Sequence, residues 1–177
     1  MKNSYSKAIK YIAWSLLLTT FHITVSGIDF LPDWVGYILL YKAIEPVGRY
    51  QPSAMLLKPF ATVLIIHSVV FRFLKPMGFS GGGYAINLIV AVIYMYLHFQ
   101  LLTDIYHTAE QLNMDSGGFI PVLRNITTVT YTIVFILSNT GGNIYLIYAA
   151  GIVNIIMKIA LSLHLFDHSS DAAEREM

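Results

Sequence analysis

Six apolar runs, at residues 8–26, 32–45, 54–73, 84–107, 119–139 and 143–166, are separated by short stretches rich in glycine, proline and charge. A helix needs about 20 apolar residues to cross the hydrocarbon of a bilayer, and every run but the second reaches or approaches that length. The pattern predicts an all-α integral membrane protein: a six-helix transmembrane bundle of three hairpins, in a single domain over residues 1–166. Residues 167–177 are polar and are expected to form a frayed cytoplasmic tail. Lys2, Lys7 and Lys10 precede the first run as they would in a signal peptide. More apolar runs follow and no small-x-small cleavage site stands out, so that run is read as a retained helix.

The second run is short. A helix over residues 32–45 extends only about 21 Å against a hydrocarbon core of about 30 Å, and as a re-entrant turn it would leave five crossings instead of six. Lysine and arginine, enriched in cytoplasmic loops, arbitrate. With six crossings and the N-terminus inside, Lys2, Lys7, Lys10, Lys42, Arg49, Lys58, Arg124 and Arg175 fall inside and Arg72 and Lys75 outside, eight against two. With five crossings the same residues split five and five. The expected location is therefore the cytoplasmic (plasma) membrane, multi-pass, with both termini cytoplasmic.

Polar positions recur at helical spacing inside the runs. Tyr11, Ser15, Thr19, His22 and Ser26 line one face of the first helix, and Tyr96, Gln100, Asp104 and His107 one face of the fourth. Asn125, Thr128, Thr132 and Asn139 mark the fifth; Asn143, Gly151, Asn154, Lys158 and Ser162 mark the sixth. In lipid such stripes turn inward, toward other helices or a wet cavity. Taken singly, each is accounted for by interhelical hydrogen bonding at about 0.6 kcal/mol.

Composition agrees with the pattern and removes several functions. Hydrophobic residues make up 56% of the chain and charged residues 12%, against roughly 25% charged in soluble domains. A net charge of +1 gives no electrostatic case for nucleic acid. With no cysteine there is no disulfide, thiol catalysis or cysteine-ligated metal. The sequence GFSGGG, residues 78–83, lacks the strand-to-helix setting and the base that a serine nucleophile needs. No zinc-protease, phosphate-loop or dinucleotide fingerprint occurs, so no catalytic residue and no cofactor is assigned.

An unpaired charge within the span costs at least about 2.5 kcal/mol. Lys158 lies about 12 Å from the cytoplasmic end of the sixth run, and Asp104 at a comparable level in the fourth, so a structural ion pair between them is expected. Arg72 and Lys75 read as lipid-headgroup anchors. His22 and His67 rise to one depth in the outer half of the bilayer, the minimum for a metal or a bis-histidine haem. Hydrogen-bonded helix contacts are the plainer reading of that pair. His98, His107 and His164 sit toward the cytoplasm.

The stretch SGIDFLPDWVGY, residues 26–37, places two aspartates and a proline between the first two runs. Gly27 suits a helix end, Pro32 and Asp33 the first turn of the next helix, and Trp34 and Tyr37 an aromatic belt. The missing length is left over. If the second helix ends at the lower surface near Lys42 and Glu45, it begins about 10 Å below the outer surface, and the preceding backbone dips into the membrane. Irregular backbone is tolerated there only when buried in protein or lining a water-filled cavity. His22, Ser26, Asp29, Asp33, Trp34, Asn139 and Asn143 are the candidate ligand-binding residues of an outward-facing polar recess. Two carboxylates with no lysine in their loop favour a cationic or strongly hydrogen-bonding solute.

Within that stretch LPDWVGYILLY, residues 31–41, resembles a motif of small multi-pass bacterial membrane proteins that carry Leu-Pro-Asp, Phe or Trp, Ile or Val, then Gly-Tyr-Ile. The resemblance implies no activity. Length, short helices and an outer polar recess also resemble the substrate-binding components of energy-coupling-factor vitamin transporters, although the alanine-spaced docking motif of those proteins is not reproduced on the first helix. The function read from the sequence is binding or transport of a small polar or cationic solute through the recess. Two alternatives stay open: a non-catalytic accessory, immunity or assembly protein that engages a membrane-protein partner through helix contacts, and an intramembrane histidine metal or haem protein.

Overall fold

The computed structural model describes residues 4–21, 24–25, 28–29, 33–74, 83–114 and 117–176. In chain order they form α1 (Ser4–Leu18), β1 (Thr24–Val25), β2 (Ile28–Asp29), α2 (Asp33–Gly48), a 3₁₀ turn (Pro52–Leu57), α3 (Lys58–Leu74), α4 (Gly83–Gln111), α5 (Ile120–Asn139) and α6 (Ile144–Glu176). Apart from a minimal antiparallel ladder that pairs Thr24 with Asp29 and Val25 with Ile28, the elements are helical. Four stretches are long and apolar enough to cross a membrane: Pro52–Arg72, Ala85–Gln111, Ile120–Asn139 and Ile144–Arg175. Their outer faces are bare apolar side chains, such as Val129, Ile133 and Ile136 on α5 and Ile152, Ile156 and Leu163 on α6. Such continuous apolar surface is natural in lipid and a liability in water, and it marks a membrane protein.

Each helix packs on the next, and α6 closes the circuit by returning to α1. The most enclosed helix is α1, where Tyr5, Ala8, Ile9, Ile12, Ala13 and Leu16 are all buried. One end of the bundle is tied together by polar contacts. The Tyr5 hydroxyl donates to the Ile105 carbonyl (3.2 Å), the Ser6 hydroxyl donates to the Ser169 carbonyl (2.6 Å), and the Tyr5 ring lies 5.1 Å from that of Tyr50. The start of α1 and the ends of α2, α4 and α6 thus share one end. The core lies toward it; at the opposite end the described side chains of α4, α5 and α6 are mostly exposed.

Helix boundaries depart from the sequence reading in four places. The first helix stops at Leu18, well before Ser26. Thr19 and Thr20 turn their hydroxyls back onto the carbonyls of Ser15 and Leu16, and the β-branched residues that follow suit the ladder rather than a helix. At the second helix Pro46 is no terminator, because α2 runs on to Gly48. Proline leaves the carbonyl four residues earlier without its helical partner; here that residue is the exposed Lys42, while Ala43, Ile44 and Val47 remain buried. The third run opens as a 3₁₀ turn before α3, and the fourth helix extends to Gln111.

The tail is a fifth departure. Instead of fraying after Phe166, α6 continues as helix to Glu176. His168, Ser169 and Ala172 are buried, and Arg175 donates to the Leu112 carbonyl (2.8 Å). These residues share one helical face, and small polar groups with local partners pack well enough to hold it.

The pairing of α1 with its neighbours fixes the depth of the first hairpin. Ser162 on α6 donates to the Ala13 carbonyl (3.2 Å), and Gly36 on α2 sits against Ser15 and Thr19. Counting along these antiparallel helices, Leu18 reaches the level of about Met157 and Asp33 that of about Ile155, roughly 15–20 Å short of the Ile144 end of α6. At 15 and 16 residues, α1 and α2 fall below the length of a spanning helix.

Candidate functional site

Side chains from four helices meet below the end of the α1–α2 hairpin. Tyr37 on α2, Tyr94 on α4 and Tyr131 on α5 form a ring cluster, with centroids 6.2 Å apart for Tyr37 and Tyr94 and 5.1 Å for Tyr94 and Tyr131. Lys158 on α6 reaches over it, its Nζ 5.4 Å from the Tyr94 centroid and 5.8 Å from that of Tyr131. Lys158 is only 6% exposed, while Glu45 pairs with Lys58 and Glu110 with His107. A cation held on aromatic faces gains about 2 kcal/mol when desolvated, which replaces part of its lost hydration.

Beside the cluster, between α1, α4, α5 and α6, is a cavity of about 20 Å³, enough for a water molecule or the head of a small ligand. Lys158, Tyr94, Tyr131, His98, Arg124 and Leu16 are among its walls, and no carboxylate lines it. The Nδ1 of His98 lies 2.9 Å from the Tyr94 carbonyl. A carbonyl can only accept, so Nδ1 carries the proton and the Nε2 of neutral His98 is left as an acceptor. Neither His98 Nε2 nor the Tyr94 hydroxyl has a hydrogen-bond partner among the described residues, although both are buried. Arg124 lays its guanidinium 4.1 Å from the Phe99 centroid and donates to Thr103 and Asn125, which leaves part of its donor fork open.

The residues assigned to the recess are only partly brought together. His22 and Ser26 lie outside the described residues, as does Gly27. Asp29 pairs through its backbone with Thr24 in the ladder. Asp33 opens α2 four residues before Tyr37, on the same face of that helix. Trp34, beside it, is half-buried. Asn139 and Asn143 are exposed and bond locally: the Asn139 amide donates to the Phe135 carbonyl (2.7 Å), and Asn143 Oδ1 accepts from the Tyr145 N–H (2.9 Å). They finish α5 and start α6, the usual work of asparagine at helix ends.

The expected Asp104–Lys158 pair does not form. Asp104 Oδ1 accepts from Ser53 (2.8 Å) and Gln100 (3.0 Å), pinning the 3₁₀ turn to α4. Lys158 meets α4 at Tyr94, about 15 Å nearer the Gly83 end of that helix. The depth estimate took Phe166 as the end of the last helix, and the continuation of α6 removes that reference point. His67 stacks on Phe71 (4.3 Å), its possible mate His22 lies outside the described residues, and no cluster of three or more metal-ligating side chains occurs among those described.

On α4 the polar stripe is met in part: Asp104 is buried and Gln100 half-buried beside it, but Tyr96 and His107 are exposed, whereas Tyr94, His98, Leu101 and Ile105 face inward. Their spacing is helical, but two of the four are aliphatic, so a count of polar positions alone passes over them. On α6 three of the stripe's residues, Asn154, Lys158 and Ser162, are buried while Asn143 is exposed: Asn154 donates to the Thr127 carbonyl (3.0 Å) and to the Thr130 hydroxyl (2.9 Å), and Ser162 to the Ala13 carbonyl.

No family model matches the chain, and no curated protein and no solved structure matches it either.

Proposed function

We propose that this is a plasma-membrane protein that binds or transports a small polar solute through an outward-facing recess above the α1–α2 hairpin. The observation that carries the reading is the depth at which α1 and α2 meet the connection between them: Leu18 and Asp33 lie roughly 15–20 Å short of the Ile144 end of α6, with the Tyr37–Tyr94–Tyr131 cluster beside them. Polar side chains from four helices converge where a purely structural bundle would place leucine. Both termini face the cytoplasm in this reading, and the hairpin completes six membrane-inserted helices.

Gentle solubilisation followed by native mass spectrometry tests it. A solute of defined mass should accompany the wild-type protein and be lost from Asp33→Asn, while the melting temperature stays within a few degrees. Retention of the same solute by Asp33→Asn and by Tyr131→Phe would place it elsewhere and sink the reading.

A further inference from the structure

The cavity beside Lys158 has a definite chemical sense that the recess alone does not supply. Two cationic side chains, Lys158 and Arg124, take part in its walls, and no acidic residue does. Lys158 is 6% exposed, and among the described residues its ammonium lies over the Tyr94 and Tyr131 rings. Tyr94 and His98, each 8% exposed, also line the cavity, and the Tyr94 hydroxyl and His98 Nε2, both withdrawn from solvent, have no hydrogen-bond partner among the described residues. Buried polar groups are normally satisfied, and a cation withdrawn from water seeks a counter-charge.

We infer that this cavity receives the carboxylate of a small hydroxy or amino acid. The carboxylate oxygens accept from the Lys158 ammonium and the Tyr94 hydroxyl, with the open donors of Arg124 as a further counter-charge. Because His98 is held through Nδ1 to the Tyr94 carbonyl, its Nε2 takes the hydroxyl or amine proton on the neighbouring carbon. A simple anion fills the first role and leaves Nε2 unsatisfied, so the pairing of donors with one acceptor selects a carboxylate bearing its own donor. The volume, about 20 Å³, limits the enclosed part of the ligand to its charged end. This assignment rests on the solute-binding reading and replaces the cationic solute suggested by Asp29 and Asp33 with an anionic one.

The test is calorimetric titration of the full chain in nanodiscs with glycolate, acetate, chloride and methylammonium. Glycolate should bind, acetate about tenfold more weakly, and chloride and methylammonium not measurably. Lys158→Met should weaken glycolate at least about tenfold, and His98→Leu should erase the preference for glycolate over acetate while leaving acetate unchanged. Tyr94→Phe, which keeps the ring beneath Lys158, should weaken both acids and guards against misfolding of the charge variant. Undiminished glycolate binding by Lys158→Met overturns the assignment, as does equal affinity of the wild type for glycolate and acetate. If methylammonium alone binds and Asp33→Asn abolishes it, the solute-binding reading survives and the carboxylate assignment falls. If no probe binds and no solute accompanies the purified protein, both fall.

Discussion

Gly36 and Thr19 are in van der Waals contact across the first hairpin: a Cβ placed on Gly36 would stand 2.7 Å from the Thr19 methyl and 3.3 Å from the Ser15 carbonyl. The glycine of DWVGY is therefore required by packing, since it lets α2 approach the backbone of α1. Gly36→Ala should destabilise the protein by about 1–3 kcal/mol, the usual cost of overpacking. Thr19→Ser removes the clashing methyl, so the double variant should recover much of the loss in a thermal melt. No recovery would mean that the Ser15 carbonyl sets the limit.

Lys158 is expected to be dispensable for folding. Replacing a buried charge with an apolar side chain of similar length is often neutral or stabilising, and the membrane cost of the charge, at least about 2.5 kcal/mol, disappears. Lys158→Met should keep or raise the melting temperature. A fall of more than a few degrees would show that the contacts with Tyr94 and Tyr131 hold the bundle together.

Asp104 and Lys158 have separate partners, so their substitutions should act independently. Asp104→Ala removes the acceptor of Ser53 and Gln100 and should cost about 1–3 kcal/mol. Combined with Lys158→Ala, the effects should add to within about 0.5 kcal/mol. A coupling larger than that would restore the ion pair that the structure separates. Hydrogen exchange should rise in the Pro52–Leu57 turn of Asp104→Ala before it rises elsewhere.

The end of α6 should behave as part of the core. A stop after Asp167 removes His168, Ser169 and Ala172, all buried, together with the bond from Ser6. Loss of a monodisperse peak in fluorescence-detected size exclusion is the expected result. A stop after Glu174 removes Arg175 and its bond to Leu112, but no residue found buried, and should be tolerated.

Absence of native cysteine allows topology to be read with single cysteines. A cysteine at Gly141 should react with an impermeant reagent from outside, and one at Asn113 only after permeabilisation. A cysteine at Asp29 should react from outside more slowly than at Gly141 if the recess holds water. Labelling at Asp29 only from the cytoplasmic side would place the hairpin tip away from the outer surface.

Several features were legible in the sequence for simple physical reasons. Run length and the scarcity of charge specify helices in lipid, because only helices of that kind satisfy their backbone there. The asymmetry of lysine and arginine favours an even number of crossings. It does not separate six spans from four spans plus a hairpin that enters and returns, since both leave every loop on the same side. Asn154, Lys158 and Ser162 were placed on the inner face because polar side chains at helical spacing have little alternative in a membrane.

Other features depended on contacts remote in sequence. Leu18 ends its helix where threonine hydroxyls and β-branched neighbours favour turn and ladder, a balance that periodicity alone does not weigh. The buried face of the α6 tail becomes visible only with Tyr5 and Ser6 beside it, more than 160 residues away for the Ser6–Ser169 bond. The site itself is the clearest case. The inner face of α4 mixes Tyr94, His98, Asp104 and Thr108 with Leu97, Leu101 and Ile105, so polarity phased that helix only in part, and Lys158 finds Tyr94 and Tyr131 only after three helices have packed. The sequence by itself determined a helical membrane protein with polar groups turned inward. Tertiary packing decided which of them meet, because helix register sets the depth of each side chain and the hydrophobic effect, satisfied equally by lipid and by neighbouring helices, leaves that register to local fit.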